Sequence, residues 1–110
     1  MAFIIEVPQM AEYKGKNVLS IPADKGYAFS FGLTKAKLIL QEWDKIVAFV
    51  QSGGKDAAGA AIEEFKGNAM IVLNPDSPFP FRFGLGKAIA AIEHEKVISK
   101  FVDTNGESFN

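Results

Sequence analysis

Six cations and two aromatic rings are the residues of this chain best suited to chemistry. Lys14, Lys16 and Lys66 stand at turns that open predicted strands, with Tyr13 and Phe65 immediately before Lys14 and Lys66. Arg82 projects from the polar side of a predicted strand, and Lys35 and Lys87 stand at predicted helix starts. Ammonium and guanidinium groups pair with phosphates and a neighbouring ring stacks on a base, so this combination could hold an unpaired nucleic-acid strand. An isolated surface lysine is ordinarily a solubility charge. What sets these apart is recurrence: Lys14 with Lys66, and Lys35 with Lys87, occupy the same places in two copies of one pattern.

Other chemistries find little material. His94 is the only histidine and lies within Glu93-His94-Glu95-Lys96 on the predicted polar side of a helix, where a solvated residue is expected. The chain has no cysteine, which removes disulfides and thiolate metal ligation and suits a reducing cytoplasm. Glu42/Asp44, Glu63/Glu64 and Glu93/Glu95 are adjacent or alternate carboxylates, a spacing that usually just solvates a surface. Gly84-Leu85-Gly86-Lys87 resembles part of a phosphate loop but has Phe81 where that loop needs glycine and Ala88 where it needs a hydroxyl. No catalytic residue, metal site or cofactor is expected, and the chain reads as a binding protein, not an enzyme.

The elements that must position these residues come as a duplication. Setting Tyr13-Lys14-Gly15 over Phe65-Lys66-Gly67 gives an offset of 52 (65 − 13), and residues 13–54 then align with 65–106 without a gap. Thirteen positions are identical, among them Phe29/Phe81, Phe31/Phe83, Gly32/Gly84, Leu33/Leu85, Lys35/Lys87 and Ala36/Ala88. Chance would give about 2 or 3 at ordinary residue frequencies. One domain of residues 1–110 built from two related halves follows, since neither half has enough apolar area to fold alone.

Within each half the hydrophobic period changes where the structure should. Val18-Leu19-Ser20-Ile21 and Met70-Ile71-Val72-Leu73 read as strands, followed by turns at Asp24-Lys25-Gly26 and Pro75-Asp76-Ser77-Pro78. Tyr27-x-Phe29-x-Phe31-x-Leu33 and its copy from Phe79 to Leu85 alternate strictly, placing the large rings on one face and Ala28, Ser30 and Arg82 on the other. Thr34 and Gly86 stand at expected helix caps. Ala36, Ile39, Leu40, Trp43, Ile46, Val47 and Val50 then mark the apolar stripe of one helix ending near Gly53, repeated by Ala88 to Val102 and ending near Asn105-Gly106, with Glu95 interrupting the stripe in the place of Trp43. Residues 3–7 and 60–65 read as further strands, and Pro80 suits a sheet edge. The expectation is an α+β fold, one antiparallel sheet of about six strands with two helices covering its phenylalanine face.

Length and charge set the remaining bounds. The chain has 110 residues with 48% hydrophobic, sufficient for a core without staples, and twelve basic against thirteen acidic residues, so any anion must be held by a local patch and not by a global field. No basic leader precedes residues 3–7, and no run of about 18 uncharged apolar residues occurs. A cytoplasmic protein with no membrane association is expected.

Glu12-Tyr13-Lys14-Gly15-Lys16-Asn17-Val18-Leu19-Ser20-Ile21, then Phe29-Ser30-Phe31-Gly32-Leu33-Thr34 leading into a helix with Trp43-Asp44-Lys45-Ile46, resembles the strand-strand-helix half of the transcriptional positive cofactor four and Whirly superfamily. The resemblance implies binding of single-stranded DNA, or RNA, on a helix-free sheet face, with a role in transcription or genome maintenance. Tyr13, Lys14, Lys16, Lys35, Phe65, Lys66, Arg82 and Lys87 are the candidate contacts, and an open sheet edge suggests a homodimer. The alternative is a protein-interaction or assembly module that uses the same surface without binding nucleic acid.

Overall fold

A computed structural model describes residues 5–23, 27–78 and 80–109. Its first strand, β1 (Gln9–Tyr13), runs antiparallel to β2 (Lys16–Pro22) with Tyr13 opposite Lys16, which leaves only Lys14 and Gly15 to make the turn. Both have positive φ, 52° and 79°. That is the mark of a two-residue hairpin whose twist matches its strands. β3 (Ala28–Phe31) pairs on the far side of β2, giving the order β1-β2-β3.

The second half repeats this order and its pairing register. β4 (Ala61–Phe65), β5 (Asn68–Leu73) and β6 (Phe81–Gly84) form a second sheet in the order β4-β5-β6, turned at Lys66 and Gly67 with φ of 52° and 81°. The duplication therefore reaches upstream of Tyr13 and Phe65, because Gln9–Tyr13 falls on Ala61–Phe65 at the same offset of 52 (61 − 9).

The fold is α+β with duplicated halves, as expected, but differs in its joints. Two three-stranded antiparallel sheets stand in place of one shared sheet. Of the strand expected over residues 3–7, Phe3 and Ile4 lie outside the described residues, and Ile5 to Val7 form no strand. The chain enters its ladder only after Pro8, which has no amide to donate. The 60–65 expectation is met by β4. The turn at residues 24–26 and the ring of Phe79 lie outside the described residues, while Pro80 just precedes an edge strand.

Each half carries two helical segments where one helix was expected: α1 (Leu33–Gln41) and α2 (Trp43–Gln51), then α3 (Leu85–Glu93) and α4 (Glu95–Asp103). The bends fall at Glu42 and His94, again 52 apart (94 − 42), with φ/ψ of −102°/26° and −113°/31°. Packing gives the reason. α1 lies against α4 and α2 against α3, so each bent helix wraps the helix of the other half, which a straight rod could not do along its length. The helices also start earlier than expected. Gly32 and Gly84 are the caps, both extended, and Thr34 and Gly86 lie inside the first turn. The ends are where they were anticipated: Gly54 and Gly106 donate their amides to the carbonyls of Phe49 and Phe101 at 2.8 and 2.7 Å with φ of 91° and 85°, a left-handed helix stop.

The phenylalanines are sealed beneath the helices. Phe29, Phe31, Phe81 and Phe83 are buried with Leu19, Ile21, Ile71 and Leu73 of the inner sheet faces and Ile46, Phe49, Ile98 and Phe101 of the helices. Burying one such side chain contributes roughly 1.5–3 kcal/mol. Ring centroids of Phe29 lie 5.4 Å from Phe83 and 5.9 Å from Phe81, so the two halves meet ring to ring. Their helix ends also interlock. The Asn17 amide of the first half donates to the Gly106 carbonyl of the second at 2.8 Å, while Gly54 of the first packs against Ala69, the counterpart of Asn17.

Candidate nucleic-acid interface

Side-chain alternation along β2 and β5 divides each sheet into a sealed face and a helix-free one. Residues opposite one another in the ladder share a face. In the first sheet Leu19 and Ile21 point inward with Phe29 and Phe31, so Gln9, Ala11, Tyr13, Lys16, Val18, Ser20, Ala28 and Ser30 share the outer side. In the second, Ala61, Glu63, Phe65, Asn68, Met70, Val72 and Arg82 do so.

Tyr13 and Lys16 thus sit directly opposite each other on the outer face, with Lys14 at the hairpin tip between them. Tyr13 is 64% exposed, leaving its ring available for stacking, and the Lys14 Nζ lies 5.3 Å from that ring's centroid. A groove of about 1210 Å³ opens here. It is lined on the sheet by Ala11, Tyr13, Lys14, Lys16, Val18, Ser20 and Ser30, and at its rim by the first turn of α1, including Lys35, and by Asn105 to Glu107. α1 has no side-chain cap, so its leading amides add positive potential to the same rim. Three lysines and two acids, Glu12 and Glu107, line this groove. Ser20 lies deeper than the alternation alone implied: it is buried, and its hydroxyl shares a 2.7 Å hydrogen bond with that of Ser30.

The second half places its candidates differently. Phe65, 59% exposed, and Lys66, with Nζ 5.4 Å from its centroid, reproduce the hairpin tip. Arg82, however, is not a free cation. Its Nε donates to Glu63 Oε1 at 2.9 Å, a diagonal contact across the outer face, since Arg82 stands opposite the buried Val72 of β5 and Glu63 opposite Met70. Asn68 stands where the first sheet has Lys16, with its amide directed at the Lys66 carbonyl.

Lys35 and Lys87 have a role that spacing did not reveal. The Lys35 Nζ lies 4.9 Å from the Phe81 centroid, and the Lys87 Nζ lies 5.4 Å from that of Phe29. Each cation of one half thus caps a ring of the other, a reciprocal clasp worth about 0.5–1 kcal/mol per contact at an exposed site. The structure therefore brings Tyr13, Lys14, Lys16 and Lys35 to one groove, leaves Phe65 and Lys66 at a separate hairpin, pairs Arg82 with a carboxylate and sets the Lys35 and Lys87 ammonium groups over Phe81 and Phe29. Sequence reading missed Glu63 as Arg82's partner, because their proximity depends on both registers across β5.

His94 departs from expectation. It is half-buried, not solvated, and its Nδ1 lies 2.9 Å from the Ala90 carbonyl at the α3–α4 bend. Among the described residues no group of three or more His, Asp or Glu side chains is placed to hold a metal ion, and no helix is long and apolar enough to cross a membrane. No protein-family model, curated protein or solved structure matches the chain.

Proposed function

We propose that this protein binds single-stranded nucleic acid, DNA or RNA, on the helix-free face of its first sheet, as a non-enzymatic factor in transcription or genome maintenance. The observation that carries this reading is the groove beside the first hairpin, lined by an exposed ring and by three lysines that outnumber its two acids, Glu12 and Glu107. Phosphates meet Lys14, Lys16 and Lys35, and a base stacks on Tyr13. The outer strands β1 and β4 each have one edge without a strand partner among the described residues, which supports pairing between two copies as a homodimer.

Three phosphate contacts imply a salt dependence of roughly −0.7 per contact on a logarithmic scale, so raising salt fourfold weakens binding roughly twentyfold. Fluorescence polarisation of a labelled oligothymidine at 50 and 200 mM salt reads this directly. Absence of binding at low salt, or binding unchanged when Lys14 and Lys16 are both replaced by Glu, overturns the reading.

The second sheet supports the alternative use. Its outer face, with exposed Phe65 and a mutually neutralised Arg82 and Glu63, has the chemistry of a protein-interaction surface.

A further inference from the structure

The two halves are alike in backbone but not on their outer faces, and four matched positions make the difference. Ala11, Lys16, Ser20 and Ser30 of the first sheet correspond, at the offset of 52 (63 − 11), to Glu63, Asn68, Val72 and Arg82 of the second. Ala11 and Ser30 flank an open trough, because neither side chain can span the width of three strands. Glu63 and Arg82 do span it, and their 2.9 Å contact lies across the middle of the second face. A strand crossing there would have to break that pair and place a phosphate beside a carboxylate. It would also find an amide at Asn68 where Lys16 offers a cation.

We infer that the duplication has divided its labour, so that each chain holds one single strand, on the first half only, while the second half serves as the structural counterpart that completes the core. This rests on the nucleic-acid reading above and refines it. The second half keeps Lys66 and Phe65 at its hairpin, so it retains part of the site's composition. What it lacks is a continuous path between that hairpin and the rest of the sheet. The Glu63–Arg82 bridge thus acts as an electrostatic bar across a face that would otherwise be a second site. The ion pair itself is exposed, 45% at Arg82 and 53% at Glu63, so its contribution to stability is small and the bar can be removed without unfolding the protein.

The test is polarisation titration of a labelled oligothymidine of twelve nucleotides at 50 mM salt, with stoichiometry taken from a titration well above Kd. Circular dichroism confirms the fold of every variant. Wild type binds one strand per chain. Lys16→Glu weakens binding on the order of tenfold, whereas Asn68→Glu, the same charge at the matched position, changes it less than twofold. The double variant Glu63→Ala/Asn68→Lys opens the second face and raises the stoichiometry to two strands per chain. Equal weakening by Lys16→Glu and Asn68→Glu, or two strands per chain in the wild type, overturns the division of labour while leaving nucleic-acid binding intact. Failure of the wild type to bind at all overturns both.

Discussion

Replacing Phe29 by alanine probes the seam between the two halves. Phe29 is 3% exposed and stands 5.0 Å from Phe31, 5.4 Å from Phe83 and 5.9 Å from Phe81, with the Lys87 ammonium over its ring. Truncation of a buried phenylalanine costs about 3–5 kcal/mol in lost transfer energy and residual cavity. Aromatic pairing adds about 0.5–1.5 kcal/mol per contact. These terms overlap, and two of the three partners belong to the other half, which limits how far the site can collapse. A loss of about 4–5 kcal/mol is expected, a large part of the roughly 5–15 kcal/mol typical of a domain. At this chain length each kcal/mol shifts the midpoint by about 4 °C, so Tm should fall by roughly 15–20 °C. Trp43 is the only tryptophan and packs half-buried against the core, so its fluorescence reports unfolding in urea. Tyr27→Ala, at a ring 45% exposed, should cost less than about 0.5 kcal/mol by the same measurement. A Phe29→Ala loss below about 1.5 kcal/mol would mean that the halves do not meet through these rings.

Backbone geometry yields further expectations for the same urea assay. Lys66 sits at φ 52° before Gly67, a place that asparagine tolerates better, so Lys66→Asn should stabilise by about 0.5 kcal/mol, and a destabilisation would argue against the hairpin geometry. Gly54→Ala should cost about 2 kcal/mol and Gly15→Ala about 1, since both have positive φ but only at Gly54 does the new methyl meet a neighbour, 3.2 Å from Ala69 Cβ. Equal losses would remove the argument for close contact between the end of α2 and β5. Asn17→Ala gives up the 2.8 Å bond to the Gly106 carbonyl and should cost about 1 kcal/mol; no change would mean that the α4 terminus is not held there.

Much of this architecture is legible in the amino-acid order, and the exceptions share a cause. Phe29, Phe31, Phe81 and Phe83 announce a sealed face because their alternation is governed by burial, which acts locally along a strand. Gln9–Tyr13 and Ala61–Phe65 are almost wholly exposed edge strands, so burial writes no full alternation into them, and only the Lys-Gly turns beside them mark the hairpins. The bends at Glu42 and His94 carry neither proline nor glycine. They arise from how each helix wraps its counterpart, which no window of a single helix contains. The candidate cations divide in the same way: Lys14 and Lys16 stand where their local turn puts them, whereas the partners of Arg82, Lys35 and Lys87 come from distant segments.

The most direct measurement is amide chemical-shift mapping of the labelled protein with a short oligothymidine at low salt. Shifts should concentrate between Ala11 and Ser20, at Ser30 and over the first turn of α1, with Met70, Val72 and Arg82 nearly unmoved. Perturbations centred on the helices, or none at saturating oligonucleotide, would contradict binding at the first sheet's outer face.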